Sequence, residues 1–487
     1  MKNTLFFFCY FLSAIYCHAH DASLFNVKSY GASGHKHDPA TLFIQKALDD
    51  CAARGGGTVY FPAGDYLCGS LTLQSNTTIW LEAGATIFGS RNMNDYTRHD
   101  AKKGIAGFEY IPSSPVLIYA ENAENISIRG KGTIDAQAER VYQPLKNTDD
   151  FIAHETVNAQ KAGIEMRQYY KVPPATCMIY FIGCSDILVE DVCLRESSGW
   201  TLHVQWSEHI VIRGCRIFSD LNAGVNADGI DIDGCRNVCV SDCIIETGDD
   251  AIVLKTTSLD GKSEPCENIT VTNCILTSTS TALKIGTETY ADFRYISFSD
   301  CIIRNTNRGM GIIVRDGATV ENISFSNIIL ETNRKHFNWW GNGDAIWLVV
   351  KKRNEDSKIG KIDRILFSNI TGTSQGTTIL EGYSPEHPLG RVTMNQIRLN
   401  MLPESLPDKR ASHAFWVRYA EEIHLSNVFL RWDVARSEPN WKNLFRFEHI
   451  TDLVLDRVKG KQLPDNPNPC AVYEHIAHKE EFQCCMN

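Results

Sequence analysis

One short pattern returns along the middle of this chain. It appears at Ile187–Cys193, Ile210–Cys215, Val238–Cys243, Ile269–Cys274 and Ile296–Cys301. The closing cysteines are spaced 22, 28, 31 and 27 residues apart. Weaker copies begin at Ile126, Ile323, Ile365, Ile423 and Leu453. Each copy alternates apolar and polar residues, which predicts a short strand with one buried face. A unit of this length cannot bury that face alone, so neighbouring units must stack into a solenoid. Leucine-rich repeats carry a different leucine signature, and propeller blades need about 40 residues. The expected fold is therefore all-β: a right-handed parallel β-helix.

The repeat also explains the cysteines. The chain has 17, and five of them, Cys193, Cys215, Cys243, Cys274 and Cys301, recur at one repeat position. That predicts a buried column of thiols rather than a disulfide framework. No Cys-x-x-Cys pair occurs, which argues against zinc. Cys470, Cys484 and Cys485 lie outside the repeat and are the disulfide candidates. Asn-x-Ser/Thr triplets occur at Asn76, Asn125, Asn268, Asn322 and Asn369. Four of them open a repeat strand, where stacked amides can bond along the solenoid axis.

Four segments are expected. Residues 1–19 read as a signal peptide: Lys2, an apolar run from Leu5 to Tyr16, and a cleavage site at Cys17-His18-Ala19. This implies a secreted or periplasmic protein. A lipid anchor on Cys17 is the alternative, disfavoured by the bulky Tyr16. Residues 20–100 hold an N-terminal cap and the first coils. Asp38-Pro39 should start a helix, with Ile44, Ala47, Leu48 and Cys51 on its apolar face and Gly55-Gly56-Gly57 ending it. Residues 101–460 form the β-helix body and 461–487 a tail or cap. Irregular stretches at Asn147–Pro174 and Asn333–Asp344 interrupt the body. The net charge of −10 argues against nucleic acid as a partner. No run is long enough to span a membrane, and a monomer is expected.

Laying rung on rung brings out chemistry. The strands after four repeat copies align as Asp228–Asp233, Asp250–Lys255, Thr281–Gly286 and Met310–Arg315. Asp228 and Asp250 then stack on adjacent rungs, about 4.8 Å apart. Asp249 joins them in one groove only if the pair sits at the strand's entry, where the turn redirects side chains. Crowded carboxylates raise the pKa of at least one, separating an acid from a base. Cleavage of a glycosidic bond needs that separation. The plainer readings are turn capping by Asp and a calcium site; no cofactor or metal is expected.

Lys255, Lys284 and Arg315 point outward beside the aspartates, with Arg308 near. They suit a carboxylated sugar, or equally salt bridges to Asp231 and Asp233. Trp200, Trp206, Trp339 and Trp340 could stack on sugar rings or simply pack. His203 is a candidate lining residue.

At these positions the chain resembles glycoside hydrolase family 28, the polygalacturonase and rhamnogalacturonase family. Val27–Ala32, Gly55–Gly64, Asn226-Ala227-Asp228 and Gly248-Asp249-Asp250 carry the resemblance. It implies inverting hydrolysis of a pectin-type acidic polysaccharide. Asp249 would be the general acid, and Asp228 and Asp250 would hold and activate water. Asn226, Asp231, Lys255, Lys284, Arg308, Arg315, His203, Trp339 and Trp340 are the substrate-binding candidates. The family's Gly-His-Gly turn should fall at Ser280-Thr281-Ala282, so its histidine is absent. Its Arg-Ile-Lys motif should fall near Ile313-Val314-Arg315 and is degraded. The alternatives are a lyase or epimerase on the same fold, or a non-catalytic carbohydrate-binding solenoid.

Overall fold

The computed structural model describes residues 23–97, 116–138, 143–144, 150–164, 170–171, 177–335 and 341–486. The expected signal peptide and Trp339-Trp340 lie outside them. The chain winds as a right-handed parallel β-helix. The strands of the large sheet pair in parallel with their counterparts one coil on, so Ile187, Ile210, Val238, Ile269, Ile296, Ile323 and Ile365 form one continuous row. No helix among the described residues is long and apolar enough to cross a membrane.

The core is built from columns. Cys215, Cys243, Cys274 and Cys301 are almost wholly buried, and each thiol donates to the backbone carbonyl two residues before it. Cys193 stands one residue out of this column: it pairs with Arg216, and Val192 takes the core position. Phe298, Phe325 and Phe367 stack at 4.7 and 5.0 Å. Burying one such side chain is worth roughly 1.5–3 kcal/mol, against about 0.5–1.5 kcal/mol for a hydrogen bond. The apolar columns, more than the polar ladders, hold the coils together.

The ladders set the corners. Asn125 donates to Asn76 at 3.0 Å, Asn268 to Asn237 at 3.1 Å and Asn369 to Asn327 at 2.9 Å. All six residues have φ between 51° and 61°, the left-handed region that asparagine tolerates better than most side chains. Axial amide bonding and a left-handed corner thus explain the recurrent asparagines.

The N-terminal helix α1 (Thr41–Ala53) buries Ile44, Ala47, Leu48 and Cys51 against the first coil. It starts later than expected. The Asp38 carboxylate accepts a bond from Ser33 instead of capping, Pro39 bridges to Leu67, and the Ala40 N–H is taken by the Leu67 carbonyl. Within residues 461–486, Ala471–Phe482 adds one more rung on Asn443–Asp456. Cys470 and Cys484 are thiols, not half-cystines.

One outer sheet matters for function. Its strands are β1 (Leu202–Gln205), β2 (Ile230–Asp233), β3 (Ile252–Thr256), β4 (Thr281–Thr289), β5 (Arg308–Val314) and β6 (Asp344–Val350). Ile230, Ile252, Leu283, Met310 and Ile346 are in register across it. This corrects the fourth rung. Met310 pairs with Leu283, so Arg308, not Met310, stands beside Thr281. Alternation has period 2, and a two-residue slip leaves every apolar residue facing inward.

Candidate active site

The row just before these strands carries the chemistry. The Gly229 N–H bonds to the Asp250 carbonyl, and the Ala251 N–H to that of Thr281, which places Asp228, Asp250 and Thr281 on successive rungs. Asp249 and Asp250 precede β3, in the turn that feeds it. There the alternation that would separate them does not apply. One carboxylate oxygen from each of Asp228, Asp249 and Asp250 lies within 4.8 Å of the others.

The turn is pinned from all sides. Thr247 and Ser278 hydroxyls donate to the Asp249 carbonyl at 2.8 and 2.6 Å, and Thr279 donates to the Gly248 carbonyl at 2.5 Å. The Asp249 carboxylate accepts from the Asp250 N–H at 2.9 Å. Gly248 is packed so tightly that a Cβ would lie 2.3 Å from the Asp220 carbonyl oxygen and 2.4 Å from that of Gly224.

The three carboxyls are all buried but differ in charge. Burial pushes Asp249 well above the usual carboxylate range, and the charges of Asp228 and Asp250 push it further. Burial likewise lifts Asp228, against the pull of Lys255, to about 7. Burial acts on Asp250 too, yet Lys284 and Lys255 outweigh it and hold this group below the usual range. Asp250 is fully engaged: Lys284 donates to Oδ2 at 2.5 Å, and Ser280 Oγ and Thr281 N donate to Oδ1 at 2.8 and 3.1 Å. One carboxyl is thus held protonated beside one held ionised.

The remaining candidates divide into groups. Lys255 is buried, with its ammonium 3.7 Å from Asp228, 3.6 Å from Asp231 and 3.5 Å from Glu288. Burial alone would lower its pKa, but Glu288, Asp228 and Asp231 raise it well above the ordinary value. The same ammonium lies 4.0 Å from the Trp200 ring, a cation–π contact. Asp231 is closed to solvent and pushed well up by burial and by Asp228. Of the expected lysine pairs, Lys255 is within ion-pair distance of Asp231, while Asp233 bonds instead to Gln205, His203 and the Thr257 N–H.

His203 does not line the cleft. It is fully buried, stacked on Tyr180 at 4.6 Å, edge-on to Trp200 at 4.8 Å, and 3.3 Å from Asp233. Burial holds its pKa below the ordinary value. Trp206 packs against a small apolar cluster with Tyr119 and Tyr180. Asn226 lies in the turn before Asp228, half-buried. Arg308 is buried and paired with Asp344, its guanidinium 3.6 Å over Trp347. Arg315 follows β5, two rungs from Asp250.

Sequence reasoning missed Ser280, Glu288, Asp344, Trp347 and Arg353. Arg353 braces Glu288 and forms two bonds to Asp316. Correct register for β5 would have exposed Asp344 and Trp347, because they pair with Arg308 and Gly311. Glu288 had no signal, since a register shift after Leu254 brings it to Lys255. Thr281, where the family histidine was expected, keeps a buried hydroxyl with no partner.

A protonated and an ionised carboxyl within one pinned cluster can donate a proton to a leaving oxygen and polarise a water. Set on a parallel β-helix, such a cluster is a candidate acid–base centre of the kind that glycosidic cleavage needs. The profile of Glycosyl hydrolases family 28 matches residues 51–407, and the chain belongs to that family. It is 28% identical over 254 residues to a probable polygalacturonase of Vitis vinifera, covering 50% of this chain and 46% of that one. It is 29% identical over 252 residues to the exo-poly-alpha-D-galacturonosidase of Dickeya chrysanthemi, covering 47% and 41%. The chain thus spans under half the length of these two relatives. An exopolygalacturonase from Thermotoga maritima shares the fold, with TM-score 0.66 and 21% identity over 84% of this chain and 91% of that one.

Proposed function

We propose that this protein is an inverting glycoside hydrolase that cleaves bonds between uronic acid units of a pectin-type polysaccharide. The observation that carries the reading is the convergence of Asp228, Asp249 and Asp250 with the Lys284 ammonium 2.5 Å from Asp250, an arrangement in which burial lifts Asp249 while Lys284 holds Asp250 down. Asp249 protonates the leaving oxygen. Asp250, kept ionised by Lys284, and Asp228 on the neighbouring rung hold the attacking water between them. The polygalacturonase relatives support the substrate class, as does the cationic wall of Lys284, Arg308 and Arg315. The 1–19 segment supports export, which a polymeric substrate outside the cell requires.

A retaining double displacement is the second reading. The oxygens lie within 4.8 Å, nearer the roughly 5–5.5 Å carboxyl spacing of retaining enzymes than the 6.5–9.5 Å of inverting ones. The paired groups favour inversion: Asp250, held ionised, and Asp228 on the adjacent rung share one water, so no wide gap to a single base is needed. Proton NMR of the first product formed from polygalacturonate decides. A new reducing end of opposite anomeric configuration to the bond cleaved supports inversion; the same configuration overturns it.

A further inference from the structure

Beyond the aspartates, the sheet gathers positive charge that no carboxylate among the described residues pairs with directly. Arg315 follows β5 and Lys351 follows β6. Val314 and Val350 are in register, and the Lys351 N–H donates to the Val314 carbonyl, so the two side chains leave neighbouring rungs. The other cations of this wall each have a carboxylate: Lys284 has Asp250, Arg308 has Asp344, Arg353 has Asp316, and Lys255 has three. Among the described residues, Arg315 and Lys351 have none within ion-pair distance. The nearby acids are already engaged. Asp316 accepts from Arg353 and the Thr289 N–H, and Glu288 from Thr287 and Arg353. The Arg315 Nε is buried with no acceptor.

The two cations also repel each other. Desolvation lowers the pKa of Lys351, and the charges of Arg308 and Arg315 lower it further. Desolvation and Arg353 do the same to Arg315. An anion placed between them relieves both effects. A floor lies alongside. Half-buried Trp347 faces outward from β6, with the Lys351 ammonium 4.8 Å from its ring centre. Its neighbour on β5 is Gly311, in register between Lys284 and Trp347. A Cβ there would meet Arg308 Cδ at 3.3 Å and Thr281 Cγ2 at 3.4 Å. With no side chain at Gly311, the Arg308 side chain lies across that position with its guanidinium 3.6 Å from the Trp347 ring, and Trp347 stands as an aromatic wall beside the two cations.

We infer that Arg315, Lys351 and Trp347 form a carboxylate-binding subsite, which holds the acid group of a uronate unit away from the cleaved bond. It lies two to three rungs from Asp250, about 9–15 Å along the axis. The inference rests on the uronate substrate proposed above and specifies which residues recognise it. It is tested by calorimetric titration of trigalacturonate into the full chain carrying Asp249→Asn, and into the same chain with Arg315→Gln and Lys351→Met added. The added pair should weaken trigalacturonate binding at least tenfold. It should leave binding of the neutral galactose trimer unchanged, and Arg315→Lys with Lys351→Arg should restore most of the affinity. Equal affinity for trigalacturonate with and without the pair overturns the subsite, as does equal loss for the neutral trimer or no binding by the Asp249→Asn parent. Sugar release by the wild-type protein is read separately, so a failed subsite and a failed hydrolase reading are told apart.

Discussion

Asp249 and Asp250 are joined by one peptide bond and lean in opposite directions because their partners differ. Asp250 has an ammonium at 2.5 Å; Asp249 has two carboxylates and none of that ammonium's direct contact. Lys284 is thus a positioning residue for the base. Lys284→Met should raise the pKa of Asp250, moving the acidic limb of kcat/KM to higher pH, while Lys284→Arg keeps it near its original place. It should also cost about 3–5 kcal/mol of stability by leaving a buried charge unpaired. A pH–rate profile and a thermal melt check both, and an unmoved limb contradicts the role. Asp228 gives a stability prediction. Its folded pKa is raised to about 7 from about 3.9 unfolded, so the folded state binds the extra proton. Its contribution is full below about pH 4 and is lost as pH rises through 7. Asp228→Asn should therefore raise the melting temperature at pH 8 relative to wild type, and the gain should vanish near pH 4.

At the scale of the element, the turn before β3 is what brings two consecutive aspartates to one face. Gly248 permits it by close approach to the turn at Asp220–Gly224. Gly248→Ala should displace the turn, costing about 1–3 kcal/mol and most of the activity. Melting and turnover measured together check this; an active, stable variant contradicts it. The stacking of Asp228 on Asp250 was legible before any coordinates, because both precede the same Ile-x-Ile or Ile-x-Leu pattern on adjacent copies. The register of β5 was not. Arg308-Gly-Met-Gly-Ile alternates as well two residues along, and only tertiary pairing separates the two alignments. That slip hid Asp344 and Trp347. His203 was misplaced for a related reason. It is an outward-facing position on β1, but Trp200 and Tyr180 close over it, and no periodicity reports what covers an outward face.

For the whole molecule, the repeat dictated the solenoid and the solenoid dictates the cleft. Successive rungs offer side chains at a fixed step, so a row of Asp228, Asp250, Thr281 and Arg308 becomes a track along which a polymer can lie. The net charge of −10 would oppose the proposed anionic substrate at long range, which would leave its recognition to the local cations beside the aspartates. The acid–base centre and the track make one claim: this β-helix hydrolyses an acidic polysaccharide through Asp249. The direct measurement is release of reducing ends from polygalacturonate by the wild-type protein and by Asp249→Asn. The account predicts release by the wild type and a rate about 10²–10⁴-fold lower in the variant. Release at the full rate by Asp249→Asn, or none by the wild type from any pectic fraction, would contradict it.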